Sequence, residues 1–365
     1  MAILYMHSFD YTTTTSELGC SVTGGTAIPT TAAARTGPQS LKIAAEGAFG
    51  IVGTVMFGIG SAPTSLWCQF AFRSPYAGMD AVNEGSGRFG IININEIRIG
   101  FVPTTFQIAA TRAVSTILGY SSASNLKPLN SWIFIEASVT VHATAGSVLV
   151  KHNGVEVLNL TNIDTATGCA ATISSLIITS GTGSSTDYAY YDDLIIGDTT
   201  GGISSPPGDA RVEYIPPSAA GDRAQFTPSA GVNYSNVNET GTANDSNYNS
   251  SKVPGDMDLF AMTDLAGSGI VHAVQTVIRG RKDDAGTRTV APVFRKSVNA
   301  ADDTPRLYVG PDAPVTDTPS YVKSIFETSP DTGSAWGVDE INDIEYGYMI
   351  AGSQIFTVSA QIAGF

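Results

Sequence analysis

Charge is scarce in this chain: Asp, Glu, Lys and Arg make up 14% of 365 residues, and basic residues are outnumbered 19 to 33, for a net charge of −14. So acidic a chain has few cations to set against phosphates, which argues against nucleic acid and anionic membranes as partners. Cysteine is scarcer still. Cys20, Cys68 and Cys169 are odd in number and far apart, so neither a disulfide framework nor a cysteine-ligated zinc site is implied. Cys68, between aromatic residues in Leu66-Trp-Cys-Gln-Phe-Ala-Phe72, reads as a buried apolar thiol. No apolar run approaches the roughly 20 residues that span a bilayer. The start, Met1-Ala-Ile-Leu-Tyr-Met-His7, lacks a basic region and a long apolar stretch, so a soluble chain without a secretion signal is expected. Helical periodicity is missing as well, since no segment of three or more turns carries apolar residues at helical spacing.

What is present is alternation. In Trp132-Ile-Phe-Ile-Glu-Ala-Ser-Val-Thr-Val-His142, positions 133, 135, 137, 139 and 141 are apolar and 136, 138, 140 and 142 polar, the period of a strand with one buried face. Ser147 to His152, the pair Asn153-Gly154 and Val155 to Leu160 form a tight hairpin, because Asn-Gly supplies the positive φ angles of a type I′ turn. Further strands are expected at 3–9, 41–44, 50–57, 67–72, 89–94, 97–102, 106–110 and 176–179. The segment Tyr188-Ala-Tyr-Tyr-Asp-Asp-Leu-Ile-Ile-Gly-Asp198 closes this first, all-β sandwich.

Residues 199–210 hold clustered Gly and Ser and the pair Pro206-Pro207, which interrupt helix and inner strand alike, and read as a linker between domains at 1–198 and 211–365. In the second domain the expected hairpin runs from 269–281 to 287–297, with Pro292 at an edge or a bulge. Strands follow at 306–309, 321–327, 344–350 and 355–362, with single helical turns at 259–265 and 335–342. The Asn- and Ser-rich stretch 231–252 reads as a long surface loop.

The opening Ile3-Leu-Tyr-Met-His-Ser-Phe-Asp10, Asn130-Ser-Trp132, the Val148–Val155 hairpin and the closing Tyr191-Asp-Asp-Leu-Ile-Ile196 together resemble the concanavalin-like lectin/glucanase domain, a jelly roll of two antiparallel sheets. The second half resembles a companion region of tailed-bacteriophage virion proteins. The pieces that carry it are Gly208-Asp-Ala-Arg-Val212, Pro216-Pro-Ser-Ala-Ala-Gly-Asp222, Phe226-Thr-Pro-Ser-Ala-Gly231, Asp256-Met-Asp-Leu-Phe260, Ala273-Val-Gln-Thr276 and Ser329-Pro-Asp-Thr-Gly-Ser-Ala-Trp336. The resemblance implies an all-β, non-enzymatic virion component with a β-rich, sandwich-like second domain. Its partners would be other virion proteins and a host surface glycan, in a homo-oligomer. A tail fibre or adhesin and a capsid decoration or head-fibre protein are both open, as are a carbohydrate-binding module and a polysaccharide depolymerase.

Few residues offer site chemistry. The sandwich family's hydrolases carry Glu-x-Asp-x-Glu on one strand face; Glu340-Ile-Asn-Asp-Ile-Glu345 breaks that spacing, with three residues from Glu340 to Asp343, and lies outside the sandwich. Asp192 and Asp193 are candidates for calcium, a hard cation that prefers oxygen, although neighbours on a strand face opposite ways. The alternative is one solvent-facing carboxylate beside one bonded to a loop. Tyr188 and Tyr190 share a face and are candidates for stacking on a sugar, against core or inter-domain packing. His7, His142, His152 and His272 read as surface histidines without metal-ligand spacing.

Overall fold

A computed structural model describes residues 3–12, 14, 18–45, 53–75, 90–102, 105–113, 116–180, 188–239, 245–266, 269–296 and 306–352. The chain forms two compact units, Met1–Tyr214 and Ile215–Phe365. Residues 199–214, which include the Gly/Ser/Pro stretch, count with the first unit. The expected strand at 355–362, with residues 50–52 and 89 of two others, lies outside the described residues.

The first unit is an all-β jelly-roll sandwich. Its strands in chain order are β1 (Ile3–His7), β2 (Ser21–Thr23), β3 (Gly25–Thr30), β4 (Ser40–Ala45), β5 (Thr54–Gly58), β6 (Ser65–Arg73), β7 (Ile92–Ile94) and β8 (Ile97–Phe101). They continue with β9 (Ile108–Arg112), β10 (Thr116–Tyr120), β11 (Ile133–Thr140), β12 (Gly146–His152), β13 (Val155–Ile163), β14 (Ser175–Thr179) and β15 (Tyr188–Asp198). An eight-stranded sheet orders β13-β12-β11-β6-β15-β4-β3, with β1 also paired to β15, and a seven-stranded sheet orders β10-β9-β8-β7-β14-β5-β2. Leu41, Phe70, Phe72, Ile135 and Tyr191 of the first sheet and Val55, Ile94, Ile99, Phe101 and Ile178 of the second share one core, each taking alternate positions of its strand. The expected hairpin forms, with Asn153 and Gly154 at φ of 49° and 79°.

The second unit is β-rich. Its strands are β16 (Pro217–Ala224), β17 (Thr227–Pro228), β18 (Asn249–Ser250), β19 (Met257–Met262), β20 (Val274–Gly280), β21 (Arg288–Lys296), β22 (Leu307–Val309), β23 (Ala313–Val315), β24 (Ser320–Phe326) and β25 (Ile344–Gly352). One sheet orders β16-β19-β25-β21-β22, with β23 also on β21, and β20 pairs with β24.

Three expectations change here. The 269–297 segment is no paired hairpin: β20 joins β24 while β21 joins β25, so the connecting turn carries the chain from one sheet to another. Residues 259–265 start as strand β19, not a helical turn, since Leu259 and Phe260 are buried against β16 and β25. Pro292 sits inside β21, not at an edge. Its carbonyl accepts from Gly310 N–H at 2.8 Å, so its missing N–H points the same way, to where the neighbouring edge passes from β22 to β23 and no ladder bond is required. The second helical turn exists as α1 (Val338–Asp343).

The Asn-rich stretch is also less of a free loop than its composition suggests. Asn236 is buried in a 3-10 turn at Asn233–Asn236. Asp258 accepts from the N–H groups of Gln225 and Phe226 at 2.8 and 3.0 Å and from Asn233 Nδ2 at 2.7 Å, while the Tyr348 hydroxyl lies 3.3 Å away.

Candidate functional site

The strand β15 carries the polar centre of the first unit. Along one edge it pairs with β6 as Asp192↔Ala71 and then Ile195↔Gln69, so three steps on β15 face two on β6. That extra residue is a β-bulge, and Asp193 takes a φ of 52° there, a left-handed conformation Asp tolerates better than most residues. Along the other edge β4 pairs with residues 188–191 and β1 with 194–197. The bulge therefore lies at the gap between two neighbouring strands, where turns rather than a ladder must satisfy its polar groups.

Two adjacent carboxylates meet the same turn because of the bulge. Asp192 Oδ2 accepts from the backbone N–H of Arg35 at 2.7 Å and of Thr36 at 3.1 Å, and Oδ1 from Asp193 N–H at 2.9 Å. Asp193 Oδ2 accepts from Arg35 Nη1 and Thr36 Oγ1, each at 3.0 Å, and Oδ1 from Val212 N–H at 2.9 Å. Arg35 also pairs with Asp209 and stands 5.2 Å from the Phe134 ring centre. Asp10 joins from the N-terminal segment: its Oδ1 accepts from Gln39 N–H at 3.0 Å, while its buried Oδ2 has no hydrogen-bond partner. Gly37, at a φ of 63°, leaves room for that carboxyl, since a Cβ there would overlap it.

Both Asp192 and Asp193 are fully buried, which corrects the expectation of one solvent-facing carboxylate: strand alternation fails at the bulge. Burial, reinforced by the charge of Asp193, pushes Asp192 up to about 8. Burial also raises Asp193, against the N–H of Val212 and the Arg35 cation, and raises Asp10 to about 6. Nothing in the residue order marks Asp10, Arg35 and Thr36 as partners of the pair, because they lie more than 150 positions away.

Calcium takes about six to eight oxygens, yet all four oxygens of Asp192 and Asp193 already face N–H, O–H or guanidinium donors. As they stand these two residues do not fit the ion. Among the described residues no three His, Cys, Asp or Glu gather as a metal site.

The tyrosines divide by face. Tyr191 enters the core, its hydroxyl 2.8 and 2.7 Å from the carbonyl oxygens of Ile91 and Thr179. Tyr188 and Tyr190 stack edge to face at 5.3 Å, with Lys42 Nζ 4.2 Å from the Tyr188 ring centre and Arg73 above Tyr190. Tyr190 is buried and Tyr188 half-buried, so cations already cover these faces.

Glu340 lies on α1, where it accepts from Ser329 Oγ. Three positions further on, Asp343 ends the helix; the stretch is a helical turn leading into β25. His7 is not a surface residue: it is buried among the rings of Tyr5, Phe9 and Tyr11, and Nδ1 accepts from Phe9 N–H at 2.7 Å. His142 Nδ1 accepts from Thr144 and Ala145 N–H at 3.0 and 2.8 Å, closing a turn.

Comparison with known proteins returns structures only. No protein family and no curated protein matches the chain. Among solved structures, the cellulose-induced protein Cip1 is 14% identical at a TM-score of 0.34, over 53% of this chain and 89% of its own. A carbohydrate esterase from the Shiga toxin-encoding bacteriophage phi24B is 13% identical at 0.35, over 53% and 99%. The tandem CBM22 domains of Xyn10C from Paenibacillus barcinonensis are 10% identical at 0.27, over 95% and 90%.

Proposed function

We propose that this protein is a non-enzymatic structural component of a tailed-phage particle, exposed at the surface as a tail fibre or adhesin that binds a host glycan. The observation that carries the reading is the clamp at Asp192 and Asp193. The buried acidic pair, the kind of group a hydrolase would keep open to substrate, is engaged on all four oxygens in joining the 35–36 turn and residue 212 to the centre of a sheet. Such a network fixes a scaffold; recognition then falls to surfaces presented on it. The virion part of the proposal rests on the sequence resemblance and its order of domains.

Adsorption competition tests the function. Purified full-length chain, added in excess to host cells, is expected to slow particle adsorption in a saturable way. Unchanged adsorption together with chain found on the head would turn the reading to capsid decoration. Release of new reducing ends from host polysaccharide by the chain would turn it to a depolymerase.

A further inference from the structure

We propose that residues 203–213 form a strap that a single latch, the Arg35–Asp193 ion pair, fastens to the sandwich and that rising pH releases. The stretch Ile203-Ser-Ser-Pro-Pro-Gly-Asp-Ala-Arg-Val-Glu213 has no helix or strand, because its Gly and paired Pro suit neither. Among the described residues, its polar ties to the rest of the first unit are two: Val212 N–H donates to Asp193 Oδ1 at 2.9 Å, and Asp209 pairs with Arg35. Both land on one buried contact, Arg35 Nη1 to Asp193 Oδ2 at 3.0 Å. Val212 is the strap's one buried side chain. Gly208, at a φ of 97° with open space around it, supplies a pivot just before Asp209.

The latch sits beside more negative charge than it can balance. Asp192 adjoins Asp193 on β15, and Asp10, on the N-terminal segment, is close enough to feel the charge of Asp193. All three are buried, and Asp10 Oδ2 has no hydrogen-bond partner. Among the described residues, the cation bonded to this group is Arg35, on the turn after β3. The other elements around it add no second one. β6 places Ala71 opposite Asp192, and β4 begins at Ser40. The N-terminal segment adds His7 and Tyr11 near Asp10, and the strap adds Asp209, with Arg211 and Glu213 exposed. Three buried carboxyls cannot all ionise against one guanidinium without a large cost, so the closed strap keeps protons on them.

The sign follows from linkage. Burial lifts Asp192 to about 8 and Asp10 to about 6 from an ordinary 3.8, whereas opening admits water and lets both return toward that ordinary value. The closed state therefore binds protons more tightly; its advantage is complete below pH 3.8 and is lost as pH rises through 6 and 8. Release does not require the sandwich to unfold. β15 is held by β1, β4 and β6, and its Tyr191, Leu194 and Ile196 by the core, none of which involves the strap. A local opening of this kind costs less than global unfolding.

This inference goes beyond the proposed function and depends on neither its glycan nor its particle part. The test is hydrogen exchange of the full chain from about pH 5.5 to about pH 8.5, corrected for the intrinsic rate at each pH. Protection at 209–213 is expected to fall about tenfold or more across that range while β11 and β12 keep theirs. Asp10→Asn should flatten the lower part of the profile and Asp192→Asn the upper part. Protection at 209–213 that does not change with pH overturns the latch. A loss shared equally by β11 and β12 also overturns it, since the whole sandwich would then be opening, as does a double variant that keeps the parental profile. Should Asp192→Asn not fold, Asp10→Asn decides, because Asn keeps an acceptor for Gln39 N–H: an unchanged profile below about pH 7 overturns the proposal.

Discussion

Arg35 Nη1 lies 3.0 Å from Asp193 Oδ2, joining residues 158 positions apart in the chain. The carboxylate is fully buried while the arginine side chain is 12% exposed, so Asp193 has no water to fall back on. Around this pair the first unit ties a turn and the 209–212 segment to its central strand.

Removing the cation should therefore cost far more than removing its outer partner. Arg35→Met leaves Asp193 buried without a counter-charge and is expected to destabilise the fold by about 3–5 kcal/mol. Asp209→Asn, at a partner whose side chain is 57% exposed, is expected to cost about 0–1 kcal/mol. Urea unfolding of the two variants checks the contrast, and the Arg35→Met, Asp193→Asn double variant should recover part of the loss.

Stability should fall as pH rises. Asp10 and Asp192 have folded values of about 6 and about 8 against an ordinary 3.8, so the native state binds protons more tightly than the unfolded chain. Their contribution is complete below pH 3.8 and declines as pH climbs through 6 and 8. Thermal melts from pH 4 to 8.5 should show that decline superimposed on the rest of the titration. Asp10→Asn, which keeps an acceptor for Gln39 N–H, should flatten its lower part.

Gly37→Ala tests the packing behind Asp10. A Cβ at this position would overlap the Asp10 carboxyl, and a φ of 63° is strained for alanine. A loss of about 1–3 kcal/mol is expected, larger than for Gly154→Ala, whose φ is 79° but whose surroundings are open.

In the second unit, Asp258→Ala should free the Asn-rich stretch. It removes the acceptor of Gln225 and Phe226 N–H and of Asn233 Nδ2, at a cost of about 2–4 kcal/mol. Hydrogen exchange should accelerate at 225–236 while β20 and β24 keep their protection.

The parts of this fold that could be read from residue order are those set by near neighbours. Alternation placed β11, and Asn153-Gly154 placed the β12–β13 hairpin, because both depend on a few consecutive residues. The partners of β20 and β21 depend on strands at 320–326 and 344–352, which no local pattern specifies. The same holds for the polar centre. Asp192 and Asp193 were visible as a pair, but their common direction comes from one extra residue relative to β6, and Arg35 reaches them only once the sandwich has formed. His7 misled for a related reason: the rings that bury it come partly from the turn after β1. Glu136 reads as one of the polar positions of an alternating strand, and only its burial distinguishes it.

The most direct measurement is immunogold electron microscopy of gradient-purified particles with antibody against the full chain. Label is expected on intact particles, at the tail. Particles that carry no label, and from which the chain is absent on denaturing gels, would contradict it.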